Sequence, residues 1–133
     1  MPCYMLDTNM CIYLMKNQPE EVSQRFSRCY VGDVVISSIT LAEFEFGVSV
    51  CADPERERKN LDALIELIEV KSFDVSAARS YGPVRKATRE RKSDHLDMLI
   101  AAHAIALGAT LVTNNERDFA AYPSLTVENW MKH

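Results

Sequence analysis

The sequence predicts an α/β fold, in which helices cover a mostly parallel sheet of four to five strands. Short apolar runs rich in β-branched residues alternate with longer segments of helical spacing, which is typical of parallel strands joined by helices. The length of 133 residues suits one compact domain with its own core. No repeat, low-complexity segment or linker divides the chain, so we expect residues 1–133 to form a single domain.

The first strand is predicted at residues 4–6, an apolar run that stops at Asp7. Thr8 or Asn9 could cap the helix that follows, because such side chains accept hydrogen bonds from free backbone N–H groups. Pro19 begins a second helix, with acidic residues in its first turn. Asp7 therefore lies beyond the carboxyl end of a strand, where open α/β sheets bind their ligands.

The second strand is predicted at Val34–Ser37, which is apolar and β-branched. It leads into a helix over Leu41–Val48, and Asp53 starts the next helix. Thr40 and Glu43 have the spacing of a capping box, which gives Glu43 a structural alternative to a role in chemistry.

The remainder of the chain continues the alternation. A third strand is predicted at Glu69–Asp74, and a long helix at Ser76–Ala87 has an irregularity at Gly82-Pro83. A strongly apolar helix over Leu96–Leu107 ends at Gly108, a residue suited to a helix C-terminus. Three short elements complete the prediction: a strand at Ala109–Thr113, a helix at Glu116–Ala121 and a strand at Leu125–Val127.

The composition is that of an ordinary globular protein, and we expect a cytoplasmic location without membrane association. No apolar run is long enough to span a bilayer, and the N-terminus lacks the layout of a signal peptide. The cysteines lack the CxxC spacing of a zinc site and are expected to be free thiols: Cys3, Cys11, Cys29 and Cys51.

The net charge of −4 neither supports nor excludes a nucleic-acid partner, because the positive charge is concentrated in one segment. That segment could be a solvated helix face or a set of phosphate contacts. Its basic residues are Arg85, Lys86, Arg89, Arg91 and Lys92.

Acidic residues recur at the predicted strand ends and helix starts. Asp7 follows the first strand, Glu43 lies near the start of the helix after the second strand, and Asp97 opens the apolar helix. An acid at a helix start can simply favour the helix dipole, and this alternative applies to Asp97 taken alone. In a doubly wound sheet, however, the acids would gather at one edge, where their like charges repel.

A hard divalent cation would neutralise such a cluster. Mg²⁺ and Mn²⁺ take oxygen ligands, and carboxylates suit them. A metal in this setting lowers the pKa of a bound water and offsets charge on an attacked phosphate, which is the chemistry of phosphodiester hydrolysis. No Ser/His/Asp arrangement, P-loop or GxGxxG motif suggests a competing reaction.

Five segments of the chain together resemble the PIN-domain ribonucleases, most closely the VapC toxins of bacterial type II toxin–antitoxin pairs. They occur in the family's order and cover nearly the whole chain: Met5–Asn9, Ser37–Glu43, Asp97–Ala104, Val112–Phe119 and Leu125–Trp130. The resemblance implies a three-layer α/β/α sandwich.

The resemblance also implies ligands for Mg²⁺ or Mn²⁺. Asp7, Glu43 and Asp97 match the three family acids that hold the ion. Many PIN domains have a fourth acid where this chain has Asn115, and several VapC-like sequences with Asn at that position carry an acid at the position of Asp118. Asp118 is therefore the predicted fourth ligand, and the number of metals stays open.

Other residues near these positions have supporting or alternative roles. Asn9 and Thr113 resemble groups that hold the acids by hydrogen bonds, and Asn115 could orient a metal-bound water. Asp94 either adds an acid to the site or caps the helix that follows. His103 is either a packed helix residue or a catalytic base.

The implied function is that of a metal-dependent endoribonuclease toxin that inhibits translation. In this family the substrates are structured RNAs, tRNA above all, with the anticodon loop of initiator tRNA a candidate and ribosomal RNA another. Attack by a metal-activated water would leave a 3′-hydroxyl. A receiver-like phosphoacceptor domain and a catalytically silent PIN domain are the alternative interpretations.

The implied partners are the RNA substrate and a VapB-like antitoxin whose C-terminal segment would cover the acids. A homodimer is expected, with a heterotetramer or larger assembly formed with the antitoxin. Operator DNA would be bound only through the antitoxin. Apolar residues of the first two helices could form the dimer face or could equally belong to the core: Ile12, Met15 and Phe26.

Overall fold

The computed structural model describes residues 2–90, 92 and 94–131. The strands are β1 (Tyr4–Leu6), β2 (Val34–Ser37), β3 (Glu69–Lys71), β4 (Thr110–Val112) and β5 (Val127–Glu128). The helices are α1 (Thr8–Lys16), α2 (Glu20–Ser27), α3 (Ser38–Val50), α4 (Pro54–Leu67), α5 (Val75–Ala87), α6 (His95–Leu107) and α7 (Glu116–Phe119). The alternation of strands and helices predicted from the sequence is confirmed.

The five strands form one sheet in the order β3-β2-β1-β4-β5, and all neighbours are parallel. The first strand is central, since Tyr4 pairs with Val34 on one side and with Thr110 on the other. The carboxyl ends of β1, β2 and β4 therefore lie side by side at one edge of the sheet. This order differs from the 2-1-3-4-5 order of receiver domains, which argues against the receiver-like alternative.

Successive residues of the central strand face two different cores, as expected for a sheet that is covered on both sides. Met5 packs in the cluster that contains Met98 and Ala101 of α6. Leu6 packs in the opposite cluster with Leu14 of α1 and Leu64 of α4. The predicted α/β/α sandwich is confirmed by these two cores.

Two predicted helix caps are wrong. Asp7, and not Thr8 or Asn9, is the N-cap of α1. Helix α3 begins at Ser38 with Ser37 as its N-cap, three residues earlier than the capping-box prediction requires. The hydroxyl of Ser37 sits at the end of a buried strand and reaches the first free N–H groups, so the helix starts there.

Thr40 consequently lies inside α3 and is fully buried. Among the described residues its Oγ1 has no hydrogen-bond partner. The capping box of Thr40 with Glu43 does not form, and the structural alternative proposed for Glu43 is thereby removed.

Three other boundaries differ from the prediction. Helix α5 continues through Gly82-Pro83 without a break, because packing of Val84 and Thr88 against α6 outweighs the hydrogen bond that a proline cannot make. The third strand ends at Lys71, and the last strand lies at Val127–Glu128. Of the helices in the described residues, none has the length and apolar character that a bilayer crossing needs.

Replacing the unpaired hydroxyl of Thr40 by a methyl group should stabilise the protein. We expect Thr40→Val to raise the free energy of unfolding by about 1 kcal/mol, because a buried hydroxyl without a partner carries a desolvation cost. Urea unfolding monitored by circular dichroism measures this. Ser49→Ala on the exposed face of the same helix is the control and should change stability by less than about 0.5 kcal/mol. A Thr40→Val protein less stable than the parent would show that the hydroxyl is satisfied.

Candidate metal centre

Asp7 is held at the end of the central strand by two hydrogen bonds. Its Oδ1 accepts the N–H of Met10 at 2.8 Å, and its carboxylate also accepts the hydroxyl of Thr113. Asp7 is only 6% exposed. Burial raises the pKa of Asp7, and the bonds from Thr113 and Met10 partly offset this by favouring the ionised form. The predicted role of Thr113 as a support for an acid agrees with this geometry.

Glu43 projects from the second turn of α3, and its side chain is tied to α1. Its Oε1 accepts the hydroxyl of Thr8 at 2.9 Å. Because Thr8 directly follows Asp7, this bond links the acid at the strand end to the acid on α3. From the sequence Thr8 is predicted only as a possible helix cap, and this contact leaves no local signal because the two residues are 35 positions apart.

Asp97 lies half-buried in the first turn of α6. Asp94 is the N-cap of this helix, and its Oδ1 accepts the N–H of Leu96 at 2.8 Å and of Asp97 at 3.4 Å. The structure therefore favours the interpretation of Asp94 as a cap, while its charge still acts on the neighbouring acid.

The pKa of Asp97 is raised from 3.8 to about 6. Burial is the largest cause, and the charges of four other acids add to it, in decreasing order Asp94, Asp7, Glu43 and Asp118. Every predicted acid is thus close enough to raise the pKa of Asp97. The charges of four regions of the chain therefore act on this one carboxyl group.

Asp118, the predicted fourth acid, is bonded to Asn115, which occupies the position of the fourth acid in many PIN domains. Asp118, exposed on α7, accepts the side-chain N–H of Asn115 at 2.7 Å through Oδ2. The backbone N–H of Asn115 in turn donates to Thr113 Oγ1 at 2.9 Å. Asn115 therefore connects Asp118 to the support of Asp7. Asn9, by contrast, is exposed on α1 and donates no hydrogen bond to an acid in the described part of the chain.

The donor set suits a hard cation, although the side chains do not enclose one as they stand. Within residues 2–90, 92 and 94–131, no three acidic, histidine or cysteine side chains are close enough to share an ion. The four acids offer only carboxylate oxygens, the ligands preferred by Mg²⁺ and Mn²⁺. Their mutual repulsion, seen in the raised pKa of Asp97, is what a cation would relieve. The residues fit such an ion if the side chains move inward.

The predicted RNA-contacting residues lie around the C-terminal end of α5. Arg85 and Lys86 are exposed in its last turn, and Lys92 is exposed before α6. Arg89 is exposed and lies 3.9 Å from Glu90, a contact too open to neutralise it. Arg91 lies outside the described residues.

This basic end of α5 is next to the first turns of α6. Thr88, beside the basic residues, contacts Met98 with its Oγ1 3.6 Å from the sulfur. Because Met98 directly follows Asp97, the end of α5 that carries the basic residues packs beside the first turn of α6.

Two adjoining cavities form a groove along α1, α2, α3 and α4, and Glu43 lines one end of it. One cavity of about 240 Å³ is lined by Thr8, Glu43 and Ile12, among others. A second, of about 330 Å³, includes Phe26 in its lining, and both cavities share Met15 and Asn60. The apolar residues predicted as either dimer face or core thus line an open groove that leads to Glu43.

His103 is an interior residue. It is 1% exposed, and its Nδ1 lies 2.8 Å from Ser37 Oγ. Phe73 packs against the imidazole edge-on, with ring centroids 5.5 Å apart. The structure therefore agrees with the interpretation of His103 as a packed helix residue.

Sequence comparison identifies relatives over nearly the whole chain. The PIN domain profile matches residues 4–125. Ribonuclease VapC2 of Rickettsia felis is 37% identical over 132 residues, which cover 97% of this chain and 98% of the relative. The tRNA(fMet)-specific endonuclease VapC of Shigella flexneri is 37% identical over 129 residues, which cover 96% and 97%.

Solved structures agree with these relatives. The toxin fold in DNA-bound VapBC from Salmonella typhimurium superimposes with a TM-score of 0.90 at 37% identity, covering 98% of this chain and 99% of that one. VapBC2 from Rickettsia felis, bound to a DNA fragment from its promoter, gives 0.86 at 35% identity, covering 96% and 98%. The chain therefore belongs to the PIN-domain family and, within it, to the VapC ribonucleases.

Proposed function

We propose that this protein is a metal-dependent endoribonuclease and the toxin of a toxin–antitoxin pair. The observation that carries the proposal is the hydrogen bond from Thr8 to Glu43, because Thr8 directly follows Asp7 and the bond brings the predicted acids of two elements to the same edge of the sheet in a chain of the VapC family. Such concentrated negative charge at one edge of a sheet is unfavourable unless a cation neutralises it.

Asp7, Glu43, Asp97 and Asp118 are the proposed ligands of Mg²⁺ or Mn²⁺. When bound, the ion activates water and offsets the charge that builds up on the attacked phosphate. The protein's part is to hold the acids. A hydrogen bond from Thr113 orients Asp7. In the same way a hydrogen bond from Thr8 orients Glu43, and one from Asn115 orients Asp118.

The proposed substrate is a structured RNA, with initiator tRNA the first candidate. Two of the curated relatives, from Shigella flexneri and Salmonella typhimurium, are named tRNA(fMet)-specific endonucleases. The exposed Arg85, Lys86, Arg89 and Lys92, together with Arg91, would contact its phosphates. A location in the cytoplasm follows from such a substrate.

The proposed protein partner is a VapB-like antitoxin that occupies the groove. Solved VapBC complexes of Rickettsia felis and Salmonella typhimurium support this pairing and the binding of operator DNA through the antitoxin. The apolar lining at Met15 and Phe26 suits an apolar antitoxin segment, and the acids beyond Glu43 suit a basic side chain at its end. We expect a toxin homodimer that forms a heterotetramer or larger assembly with the antitoxin.

Asp7→Asn should abolish both RNA cleavage and toxicity. Loss of a ligand that the ion needs is expected to lower the cleavage rate about 100-fold or more, since metal stabilisation of the transition state is worth several kcal/mol. The assay is cleavage of initiator tRNA in Mg²⁺ or Mn²⁺, together with growth after induction in cells without antitoxin. Asp62→Asn on exposed α4 is the matched control and should behave as the parent.

The cleavage products provide a second criterion. Attack by water predicts a 3′-hydroxyl and a 5′-phosphate at the cut. A 2′,3′-cyclic phosphate, or equal toxicity of Asp7→Asn and the parent protein, would contradict the proposal.

Asp97→Asn should remove a pH-dependent loss of stability from the metal-free protein. Between the ordinary pKa of 3.8 and the folded-state value of about 6, the folded protein binds a proton more tightly than the unfolded chain, so stability falls as pH rises through this window. At pH 7.5 the variant should be more stable by about 1–2 kcal/mol after allowance for solvent screening, and near pH 3.5 the difference should vanish.

Urea unfolding in EDTA at the two pH values measures this difference. Asp118→Asn is the control and should have a smaller effect, because Asp118 contributes least to the raised pKa of Asp97. Equal stability of Asp97→Asn and the parent at pH 7.5 would show that neither burial nor the neighbouring acids disfavour the ionised form of Asp97.

Replacing Arg85 and Lys86 by Gln should weaken RNA binding without preventing metal binding. Each lost phosphate contact is expected to lower the slope of log affinity against log salt by about 0.7–0.9. The Asp7→Asn change is present in all proteins of this test, so that the tRNA is not cut. Filter binding at several salt concentrations measures their affinity for initiator tRNA. Lys59→Gln on α4 is the control, and an unchanged salt slope in the double variant would place the RNA elsewhere.

A further inference from the structure

A buried hydrogen bond joins α6 to the N-terminus of α3. His103 Nδ1 lies 2.8 Å from Ser37 Oγ, and the two residues are 1% and 0% exposed. The same hydroxyl oxygen accepts the N–H of Ile39 at 3.1 Å and so caps α3. Both polar groups lose their hydration in the core, so burying them costs more free energy than burying an apolar pair of similar volume.

The two helices joined by this bond are the ones that carry Glu43 and Asp97. Glu43 lies six residues after Ser37 on α3, and Asp97 lies six residues before His103 on α6. Six residues correspond to about 9 Å of helix. Helices α3 and α6 also contact each other directly. The hydrogen bond therefore lies at a contact between the two helices, about two turns from Glu43 along one helix and from Asp97 along the other.

We infer that the Ser37–His103 hydrogen bond sets the separation of Glu43 and Asp97, which makes His103 a positioning residue for the metal centre. The inference rests on the proposed function, because it concerns the same acids. A hydrogen bond has a narrow range of length and direction, whereas apolar side chains still pack when two helices slide past each other. The bond thus fixes the register of α3 against α6, and the acids share that register.

The surroundings of His103 preserve the bond. Burial lowers the pKa of the imidazole, although Asp74 opposes this, and the neutral ring can bond to the Ser37 hydroxyl in either tautomer. Phe73 packs edge-on against the ring, and its backbone N–H donates to Ser38 Oγ at 3.0 Å, so the segment after β3 contacts both α6 and the first residue of α3. His103 does not reach the acids, and its effect on them passes through the two helices.

The test is Mn²⁺ affinity of the folded protein, measured by titration calorimetry. His103→Leu removes the hydrogen bond at similar volume, and we expect Mn²⁺ to bind about tenfold more weakly, the loss typical of a support behind a metal ligand. His103→Asn places an amide nitrogen near the position of Nδ1 and should return the affinity to within about threefold of the parent. Ser37→Ala should weaken Mn²⁺ binding by a factor similar to that of His103→Leu.

The double variant Ser37→Ala/His103→Leu should bind Mn²⁺ no more weakly than the single variants, because either change already removes the bond. Ile100→Val, in the core side of α6, is the control for destabilisation alone, and its affinity should stay within about twofold of the parent. If His103→Leu fails to fold, Ser37→Ala, which lacks the hydrogen bond, is compared with His103→Asn, which is expected to keep it.

His103→Leu or Ser37→Ala proteins that are less stable but bind Mn²⁺ like the parent would overturn the inference and leave His103 a purely structural residue. Asp97→Asn distinguishes this result from failure of the proposed function. If Asp97→Asn also binds Mn²⁺ as tightly as the parent, the metal centre itself is refuted. If Asp97→Asn loses Mn²⁺ while the Ser37 and His103 variants keep it, only the positioning role is refuted.

Discussion

The parallel pairing of β1 between β2 and β4 is the constraint on which the rest of the molecule depends. It places the carboxyl ends of three strands side by side, and the chain leaves each of them as a helix or loop that begins at the same edge. Asp7 and Thr113 meet there because Leu6 pairs with Val112 in register. Apolar packing on both faces of the sheet stabilises this arrangement. The acids are therefore held at one edge by the core, and no attraction among the acids is needed.

The acids themselves are a source of instability that local hydrogen bonds only partly offset. Asp7 is nearly buried, yet it receives a backbone N–H and a hydroxyl that favour its ionised form. Glu43 and Asp118 each accept one side-chain donor, from Thr8 and Asn115. Burial and, after it, the charges of four neighbouring acids raise the pKa of Asp97 to about 6. A cation beside Asp97 would favour its ionised form against both effects.

The proposed RNA surface and the proposed antitoxin groove are formed by different helices. Basic side chains gather at the C-terminal end of α5 and could guide RNA to the acids in a protein whose overall charge is negative. The apolar groove along α1 and α4 reaches Glu43. An antitoxin segment in the groove would therefore block the site without occupying the proposed RNA surface.

The sequence alone determined the elements and the acids. Apolar runs and helical spacing located every strand and helix, since burial on one or two faces leaves a local pattern. The position of Asp7 after an apolar run placed it at the edge of the sheet. The segments that resemble the PIN-domain ribonucleases contain Glu43, Asp97 and Asp118, and in the structure the charges of Glu43 and Asp118 act on Asp97.

Only the tertiary structure decided which hydrogen bonds these residues make. The choice of Asp7 and Ser37 as helix caps depends on where a buried strand ends in space, and neighbouring Thr8, Asn9 and Thr40 had equally suitable side chains. The bonds of Thr8 to Glu43 and of Ser37 to His103 join positions 35 and 66 residues apart. Such pairs leave no local pattern, because their distance is set by the packing of whole helices on the sheet.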